Sequence, residues 1–363
     1  MAVNNDYDIL VALMETRFTV RPEKGIDMII KHIPDSDADG VLDQRVLKTL
    51  LDFKVPDLGD VPGGFDVEVL RRLAGFPNKD MTCSEIKTEY RDIETRNGVI
   101  PIRVYSPLKE DIMPAVVFFH GGGFFGGSVD TVENCCKALA EKAGAVVVSV
   151  AYSLAPERKF PVGLEDCFDA VKWVWTNVLE LKVDRRKIAV AGDSAGGNLA
   201  AVCAMMDRDL GTGMINFQAL IYPVVILDFS AVTEDYKWDI KEYVIKADHE
   251  VIKGALAALR DSSPLMNGFY VGEKADLIKP YASPLLAEDA GNLPETLIIT
   301  AEYDYLRLQG EAYARKLTKA GVKTKVIRYS GVDHAFIDKI GVYPQAEDCM
   351  NEIAKALQQV FKA

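Results

Sequence analysis

The sequence lacks the features that mark several classes of protein. It has no apolar run long enough to span a bilayer, so we expect no transmembrane helix. It has no long basic run, and its formal net charge is −12. Such a chain is poorly suited to bind nucleic acid, because phosphate contacts require clustered Lys and Arg. Residues 1–10 show neither a basic leader nor a long apolar stretch, so we expect no signal peptide and a cytoplasmic location.

The sequence also has few of the residues that hold metals or form disulfides. Its 6 cysteines include no Cys-x-x-Cys pair, and we expect reduced, buried thiols. Residues 35–40, DSDADG, match the opening of an EF-hand calcium loop. The last position of that loop, which should be a bidentate Glu, is Val46. A solvated acidic turn is therefore favoured over a calcium site, and we expect no metal and no organic cofactor.

The most informative stretch is a tight turn between a strand-like and a helix-like segment. An apolar run over 188–191 leads into GDSAGG at 192–197, and good helix formers follow to residue 206. A Gly-x-Ser-x-Gly pattern can arise by chance in a glycine-rich chain. Its position at a strand-to-helix junction instead favours a nucleophile elbow, in which Gly192 and Gly196 leave room for a strained turn that exposes Ser194.

A glycine-rich loop, HGGGFFGG at 120–127, follows the apolar run 115–119. A phosphate-binding loop would continue with Gly-Lys-Ser or Gly-Lys-Thr, which is absent, whereas a purely structural turn remains an alternative. We favour an oxyanion hole formed by the N–H groups of Gly122, Gly123 and Ala195, because these groups could face the oxyanion of a tetrahedral intermediate. His120 is then a positioning residue.

A serine nucleophile needs a base, and the chain has only 4 histidines. Proteins with this elbow carry the acid and then the histidine after the serine, which leaves His249 and His334. His249 lies in a charged helical stretch and is expected on the surface. His334 lies in a loop after the last strand-like run and is the candidate base.

The acid is expected in the loop after the apolar run 297–300. Both Glu302 and Asp304 are available there. We favour Asp304 because it lies further out on the loop, where it has room to reach the imidazole and hold its tautomer. Asp333 and Asp338, near the histidine in sequence, are expected to face solvent.

The rest of the pattern predicts an α/β fold. A hairpin over 86–105 turns at Asn97-Gly98, and 6 short apolar runs alternate with helical patterns. We expect a sheet of about eight strands, mostly parallel, with helices on both faces and the catalytic domain over 86–363. Residues 1–85, including the Ile-rich stretch 26–33, are expected to be helical and to form a cap with a helical insert at 228–282.

These motifs together resemble the hormone-sensitive-lipase-like carboxylesterases of the α/β-hydrolase fold. The match covers about residues 86–360 and includes HGGG at 120–123, GDSAGG at 192–197, the acid loop at 304–310 and the histidine loop at 331–336. YSLAPERKFP at 152–161 and LIYP at 220–223 are similar to two further family segments. The resemblance implies a triad of Ser194, Asp304 and His334, an oxyanion hole from the HGGG loop with Ala195, and a helical cap.

The sequence therefore predicts a serine carboxylesterase for small to medium acyl or aryl esters. The candidate substrate-binding residues are Phe124, Phe125, Asp193 and Trp238. An amidase or deacetylase with the same triad is an alternative, as is a ligand-binding protein on the same fold. The resemblance also suggests a homodimer through the outer edge of the sheet.

Overall fold

The computed structural model describes residues 5–53, 67–72, 75–228 and 230–362. Its strands are β1 (Phe18–Glu23), β2 (Ile26–Lys31), β3 (Ile86–Thr95), β4 (Gly98–Pro107), β5 (Met113–Phe119), β6 (Val146–Val150), β7 (Val183–Asp193), β8 (Phe217–Ile221), β9 (Glu295–Tyr303) and β10 (Thr324–Asp333). Its α-helices are α1 (Asn5–Met14), α2 (Gln44–Asp52), α3 (Val67–Arg72), α4 (Glu133–Ala143), α5 (Val162–Thr176), α6 (Val178–Leu181), α7 (Ala195–Leu210), α8 (His249–Tyr270), α9 (Arg307–Lys319) and α10 (Pro344–Lys362).

All ten strands belong to one sheet in the order β1-β2-β10-β9-β8-β7-β5-β6-β4-β3. The block from β2 to β6 is parallel, and the pairs β1–β2, β4–β6 and β3–β4 are antiparallel. The α/β-hydrolase fold and the hairpin at Asn97-Gly98 are thus confirmed. The eight predicted strands are present as β3 to β10, and the described part of the chain adds two more.

Helices cover both faces of the central strands. Every residue of β6 and β8 is buried, although successive side chains point to opposite faces. Strands buried on both faces read as continuous apolar runs, which is why the sequence revealed them. Helix α4 packs on α10, and α5 packs on α7.

The prediction of a wholly helical N-terminal segment was wrong at residues 18–31. These residues form the β1–β2 hairpin, with Lys24 and Gly25 at positive φ in its turn. The Ile-rich spacing also fits a strand, since Ile26, Met28 and Ile30 alternate and are all buried. The free edge of β10 decides between the two, because β2 pairs with it in parallel. Helices α1 and α2 were correctly predicted, and residues 54–66 and 73–74 lie outside the described residues.

The acidic turn at 35–40 uses its carboxylates within the protein. Asp35, Asp37 and Asp39 form ion pairs with Arg45, Arg17 and Lys246, respectively. Val46, at the position of the missing calcium ligand, is fully buried.

The insert between β8 and β9 is helical where it is described. Residues 230–282 contain α8 and short 3-10 turns, and no strand is present in that range.

Elsewhere, five of the cysteines are buried and Cys83 is exposed. Among the described helices, none combines the length and the apolar composition that crossing a membrane requires.

Candidate active site

Four parallel strands end at one edge of the sheet and deliver the predicted site residues there. Strand β5 runs into the glycine loop 120–127, and β7 ends immediately before Ser194. Strand β9 ends before Asp304, and β10 ends before His334. Because the carboxyl ends of parallel strands meet at the same edge, residues far apart in sequence converge.

Ser194 occupies a strained turn. Its φ is 54° and its ψ is −115°, a conformation that is costly for a residue with a side chain. Its N–H donates to the Ile221 carbonyl at 2.9 Å, and its own carbonyl accepts from the N–H of Asn198 and of Val224, both at 3.1 Å. A Cβ at Gly196 would overlap the backbone of Phe119. The surrounding strands and the small neighbour therefore fix the position of the serine, which is 7% exposed and lines the cavity described below.

The three triad candidates form one hydrogen-bonded chain. The Oγ of Ser194 lies 2.9 Å from the Nε2 of His334, and the Nδ1 of His334 lies 2.7 Å from the Oδ2 of Asp304. Asp304 is 1% exposed, and its Oδ1 accepts the N–H of Leu306 at 2.8 Å. The carboxylate is thus held so that Nδ1 of the imidazole is its donor, which leaves Nε2 free to accept the serine proton.

The electrostatics of the site favour a strong base. Burial lowers the pKa of His334, but the charge of Asp304 and its hydrogen bond raise the pKa more, so that it lies above its usual value. The same interactions with Asp304 stabilise the imidazolium that forms when the histidine takes a proton.

Neither alternative acid nor alternative histidine joins this chain. Glu302 accepts the N–H of Gly331 at 2.8 Å and so supports the histidine loop, while burial raises its pKa. His249 is exposed at the start of α8, as expected. His120 is 1% exposed, with its Nδ1 2.8 Å from the Gly121 carbonyl. Burial lowers the pKa of His120 to about 4, so its ring remains neutral. The ring therefore positions the glycine loop and does not transfer a proton.

The predicted oxyanion donors lie on the glycine loop and at the start of α7. Gly122 and Gly123 have φ of 120° and 60°, conformations that favour glycine. The N–H groups of Gly122, Gly123 and Ala195 donate no hydrogen bond to any described residue. The Gly121 N–H next to them donates to Asp193 Oδ1 at 2.8 Å, which ties the loop to the serine turn. This arrangement leaves three N–H groups available for an oxyanion.

A cavity of about 260 Å³ opens onto Ser194 and His334. Phe124, Phe125 and Asp193, three of the four candidate substrate-binding residues, line it. Trp238 does not line it. Its ring packs instead against Tyr243 and Tyr305, with the guanidinium of Arg260 5.7 Å away. The larger apolar side chains of the lining are Leu70, Phe76, Phe124, Phe125, Val224, Leu259, Met266 and Leu306.

Sequence reasoning missed much of this lining. Helix α8 contributes Leu259, Ser263, Met266 and Asn267, and Leu70 and Phe76 contribute further apolar groups. The only signal was the interruption of the strand pattern at 228–282, which located the insert but not its inward face. Asp338 also lines the cavity, and both it and Asp333 are partly buried, so the prediction that they face solvent was wrong. Asp333 ends β10, and Asp338 lies in the 3-10 turn Phe336–Lys339. Short-range sequence patterns could not indicate that these two side chains are partly buried.

Comparison with known proteins agrees with this geometry. The family described as alpha/beta hydrolase fold matches residues 116–338. The carboxylesterase NlhH of Mycobacterium tuberculosis is 36% identical over 324 residues, which cover 88% of this chain and 96% of that protein. This chain belongs to the hormone-sensitive-lipase-like carboxylesterase family. These matches confirm the family and the fold that the motifs predicted.

Other members of the carboxylesterase family are similarly close. An arylesterase of Saccharolobus solfataricus is 39% identical over 252 residues, covering 69% of this chain and 77% of that enzyme. The structure of a hyperthermophilic esterase from Pyrobaculum calidifontis superposes with a TM-score of 0.72 at 39% identity, covering 89% of this chain and all of the other. In this carboxylesterase, no group of three or more His, Cys, Asp or Glu among the described residues is arranged to hold a metal ion.

Proposed function

We propose that the protein hydrolyses small to medium acyl or aryl esters, with Ser194 as nucleophile, His334 as base and Asp304 as the acid that orients the histidine. One observation carries the proposal: the hydrogen-bonded chain from Ser194 Oγ through His334 to Asp304 opens onto a mainly apolar cavity. Carboxylesterase relatives that align along most of the chain support the same activity.

The reaction follows from the positions of these groups. Ser194 Oγ attacks the ester carbonyl while His334 Nε2 takes the hydroxyl proton, and the N–H groups of Gly122, Gly123 and Ala195 stabilise the oxyanion. The tetrahedral intermediate collapses as His334 returns the proton to the leaving alcohol, which yields an acyl-serine. Water, deprotonated by His334, attacks the acyl carbon by the same route. The second tetrahedral intermediate collapses as His334 returns the proton to Ser194 Oγ, which releases the carboxylic acid and restores the serine.

Size and polarity of the cavity support the substrate class. At about 260 Å³ it is slightly smaller than the usual ligand pocket of about 300–1,000 Å³. Phe124 stacks on Tyr270 with ring centroids 3.7 Å apart, and Phe125 meets Phe269 at 5.3 Å, so the aromatic walls are braced by α8. Rigid walls of this kind limit the acyl or aryl group to one that fits without displacing the helix.

Matched substrates test the reaction class. We expect p-nitrophenyl esters of short acids to be hydrolysed with a burst of p-nitrophenol at the start, while the matching anilides are hydrolysed far more slowly. Preference for the anilide would favour the amidase or deacetylase alternative. Absence of turnover on every ester and anilide, with the compounds still bound, would favour the ligand-binding alternative.

Two finer features are also proposed. We propose a cytoplasmic location, supported by five buried thiols. Burial raises the pKa of the Cys136 thiol, for example, so that this thiol is poorly reactive.

We also propose a homodimer through the outer edge of the sheet, supported by Phe18 and Val20, which are 46% and 56% exposed on β1. Light scattering on wild type and on Val20→Lys tests the dimer.

A further inference from the structure

The acidic and basic side chains that line the cavity at Ser194, apart from His334, are all acidic. The cavity is lined by two carboxylates, Asp193 and Asp338, and by no Lys or Arg among the described residues. The oxyanion donors and His334 stabilise negative charge only where it develops on the reacting atoms. Elsewhere in the cavity, the field disfavours an anion and favours a cation.

The two carboxylates differ in how far they are already used. Asp193 is 3% exposed, and its Oδ1 accepts the N–H of Gly121. Asp338 is partly buried, and its carboxylate makes no hydrogen bond or ion pair with any described residue. Burial and the charge of Asp338 raise the pKa of Asp193, which indicates that the two groups repel one another. The free carboxylate on the cavity wall is therefore that of Asp338.

The backbone around Asp338 is fixed, while its side chain remains available. The Asp338 N–H donates to the Ala335 carbonyl at 3.3 Å, and its carbonyl accepts from Asn78 at 3.2 Å. The adjacent Lys339 does not pair with it. The Lys339 ammonium donates to the Ala335 carbonyl at 2.8 Å and lies 4.0 Å from the centre of the Phe76 ring. The carboxyl group of Asp338 thus has no hydrogen-bond or ion-pair partner among the described residues and is in contact with the cavity.

The position of Asp338 assigns it to one part of the substrate. His334 protonates the leaving oxygen, so the alcohol portion of the ester lies on the histidine side of Ser194. Asp338 lies four residues after His334, in the 3-10 turn Phe336–Lys339. Burial raises the pKa of Asp338, while the charges of Lys339 and His334 oppose that rise, as expected for close neighbours. Asp338 is therefore placed to face the alcohol portion rather than the acyl portion.

We propose that Asp338 selects esters by the charge of their alcohol portion, favouring cationic over neutral and neutral over anionic alcohols. This inference rests on the proposed ester hydrolysis. The physical reason is that a cation in the alcohol portion gains a partner for an otherwise unpaired carboxylate, whereas an anion adds repulsion in a poorly solvated cavity.

Three acetate esters of similar shape test the proposal. They are acetylcholine, its neutral carbon isostere 3,3-dimethylbutyl acetate and the anionic 3-sulfopropyl acetate. Acid release is followed by titration, and kcat/KM is determined for each ester. We expect wild type to prefer the cation over the neutral isostere by about tenfold, and the neutral ester over the anion by at least as much.

In Asp338→Asn, the ratio of kcat/KM for the cationic ester to that for the neutral ester should fall to a value between about 1 and about 3. Asp338→Glu should restore part of the preference for the cation. Glu288→Gln, which removes an exposed carboxylate outside the cavity, should leave the ratio unchanged. The wild-type ratio does not depend on whether a variant folds. A wild-type ratio at or below one overturns the proposal, as does an unchanged ratio in a folded Asp338→Asn.

The same experiment separates this proposal from the proposed function. If wild type hydrolyses none of the three acetates and no p-nitrophenyl ester, ester hydrolysis itself is rejected. If it hydrolyses the neutral acetate without distinguishing charge, only the role of Asp338 is rejected.

Discussion

The carboxylate of Asp193 accepts the N–H of Gly121 at 2.8 Å, a bond that joins the serine turn to the glycine loop. This bond spans the gap between the ends of β7 and β5, so Ser194 and the proposed oxyanion donors are positioned together. A Cβ at Gly121 would overlap the same carboxylate, so the two residues are closely packed. Asp193 was predicted to contact substrate, and its geometry makes it a positioning residue as well.

Asp193→Ala should release the glycine loop and lower kcat/KM by up to about 10²-fold, because a misplacement of about 1 Å in a catalytic group can cost that much. The loss should fall on kcat more than on KM. Asp193→Asn retains an oxygen that can accept the Gly121 N–H and should recover part of the rate. Equal kcat for wild type and the Ala variant would contradict the positioning role.

Ser194→Ala should lower kcat by a factor on the order of 10⁴ or more on p-nitrophenyl esters, because no acyl-enzyme can form. Its Tm should remain near that of wild type, since only one hydroxyl is removed. The matched control is His249→Ala, which changes an exposed histidine at the start of α8 and should leave kcat unchanged. A serine variant with near wild-type turnover would rule out the triad.

The pH dependence of kcat/KM should show an acid limb set by His334. Its pKa is raised, mainly because the charge and hydrogen bond of Asp304 outweigh burial, and only the neutral imidazole can accept the Ser194 proton. Activity should therefore be full above the raised pKa and fall as pH decreases through it, at a pH above the ordinary histidine value of about 6.5. Asp304→Asn should move the limb to lower pH while reducing the maximum rate. A wild-type limb well below 6 would contradict the assignment.

Gly122→Ala should reduce both activity and stability. Gly122 has φ 120°, and a Cβ there would overlap the backbone of Gly126, so the loop must move. We expect kcat to fall by about 10²- to 10³-fold if an oxyanion donor is lost. Gly254→Ala is the control, because its Cβ would meet open space on exposed α8. That variant should keep its activity and gain about 0.5–1 kcal/mol in unfolding free energy.

Lys31→Met should destabilise the N-terminal hairpin. The Lys31 ammonium is buried on β2 and lies 2.9 Å from Asp348 and 3.0 Å from Glu352, both on α10. Removing the cation leaves two buried carboxylates less compensated, at a cost of about 3 kcal/mol measured by urea unfolding. Lys182→Met, which removes an exposed ion pair with Glu110, should change stability by less than about 1 kcal/mol. Similar stabilities for the two variants would contradict this account.

The strands and the serine turn could be predicted because each depends on local sequence. Strands such as β6 and β8 are buried on both faces, and a continuous apolar run reports that directly. Gly192 and Gly196 fit a turn whose steric demands act over a few residues. Once the parallel strands were recognised, the common edge at which Asp304 and His334 meet Ser194 followed from topology.

The errors have a different physical origin. Trp238 was expected in the substrate cavity because it is aromatic and lies in the insert. Its ring instead packs against that of Tyr305, which follows Asp304 in the acid loop. The Ile-rich stretch was expected to form a helix, although β2 pairs with β10. In both cases several local solutions were acceptable, and a partner distant in sequence selected one.

The sequence alone determined the order and type of the central elements, the strained serine turn and the residues able to supply a nucleophile, a base and an acid. These follow from backbone sterics and from apolar periodicity, which act over short distances along the chain. Only the tertiary structure decided which side chains enclose the serine, that Asp338 remains unpaired there, and that residues 18–31 extend the sheet. Those outcomes depend on contacts between segments separated by a hundred residues or more, where packing and charge are set by neighbours that no local pattern records.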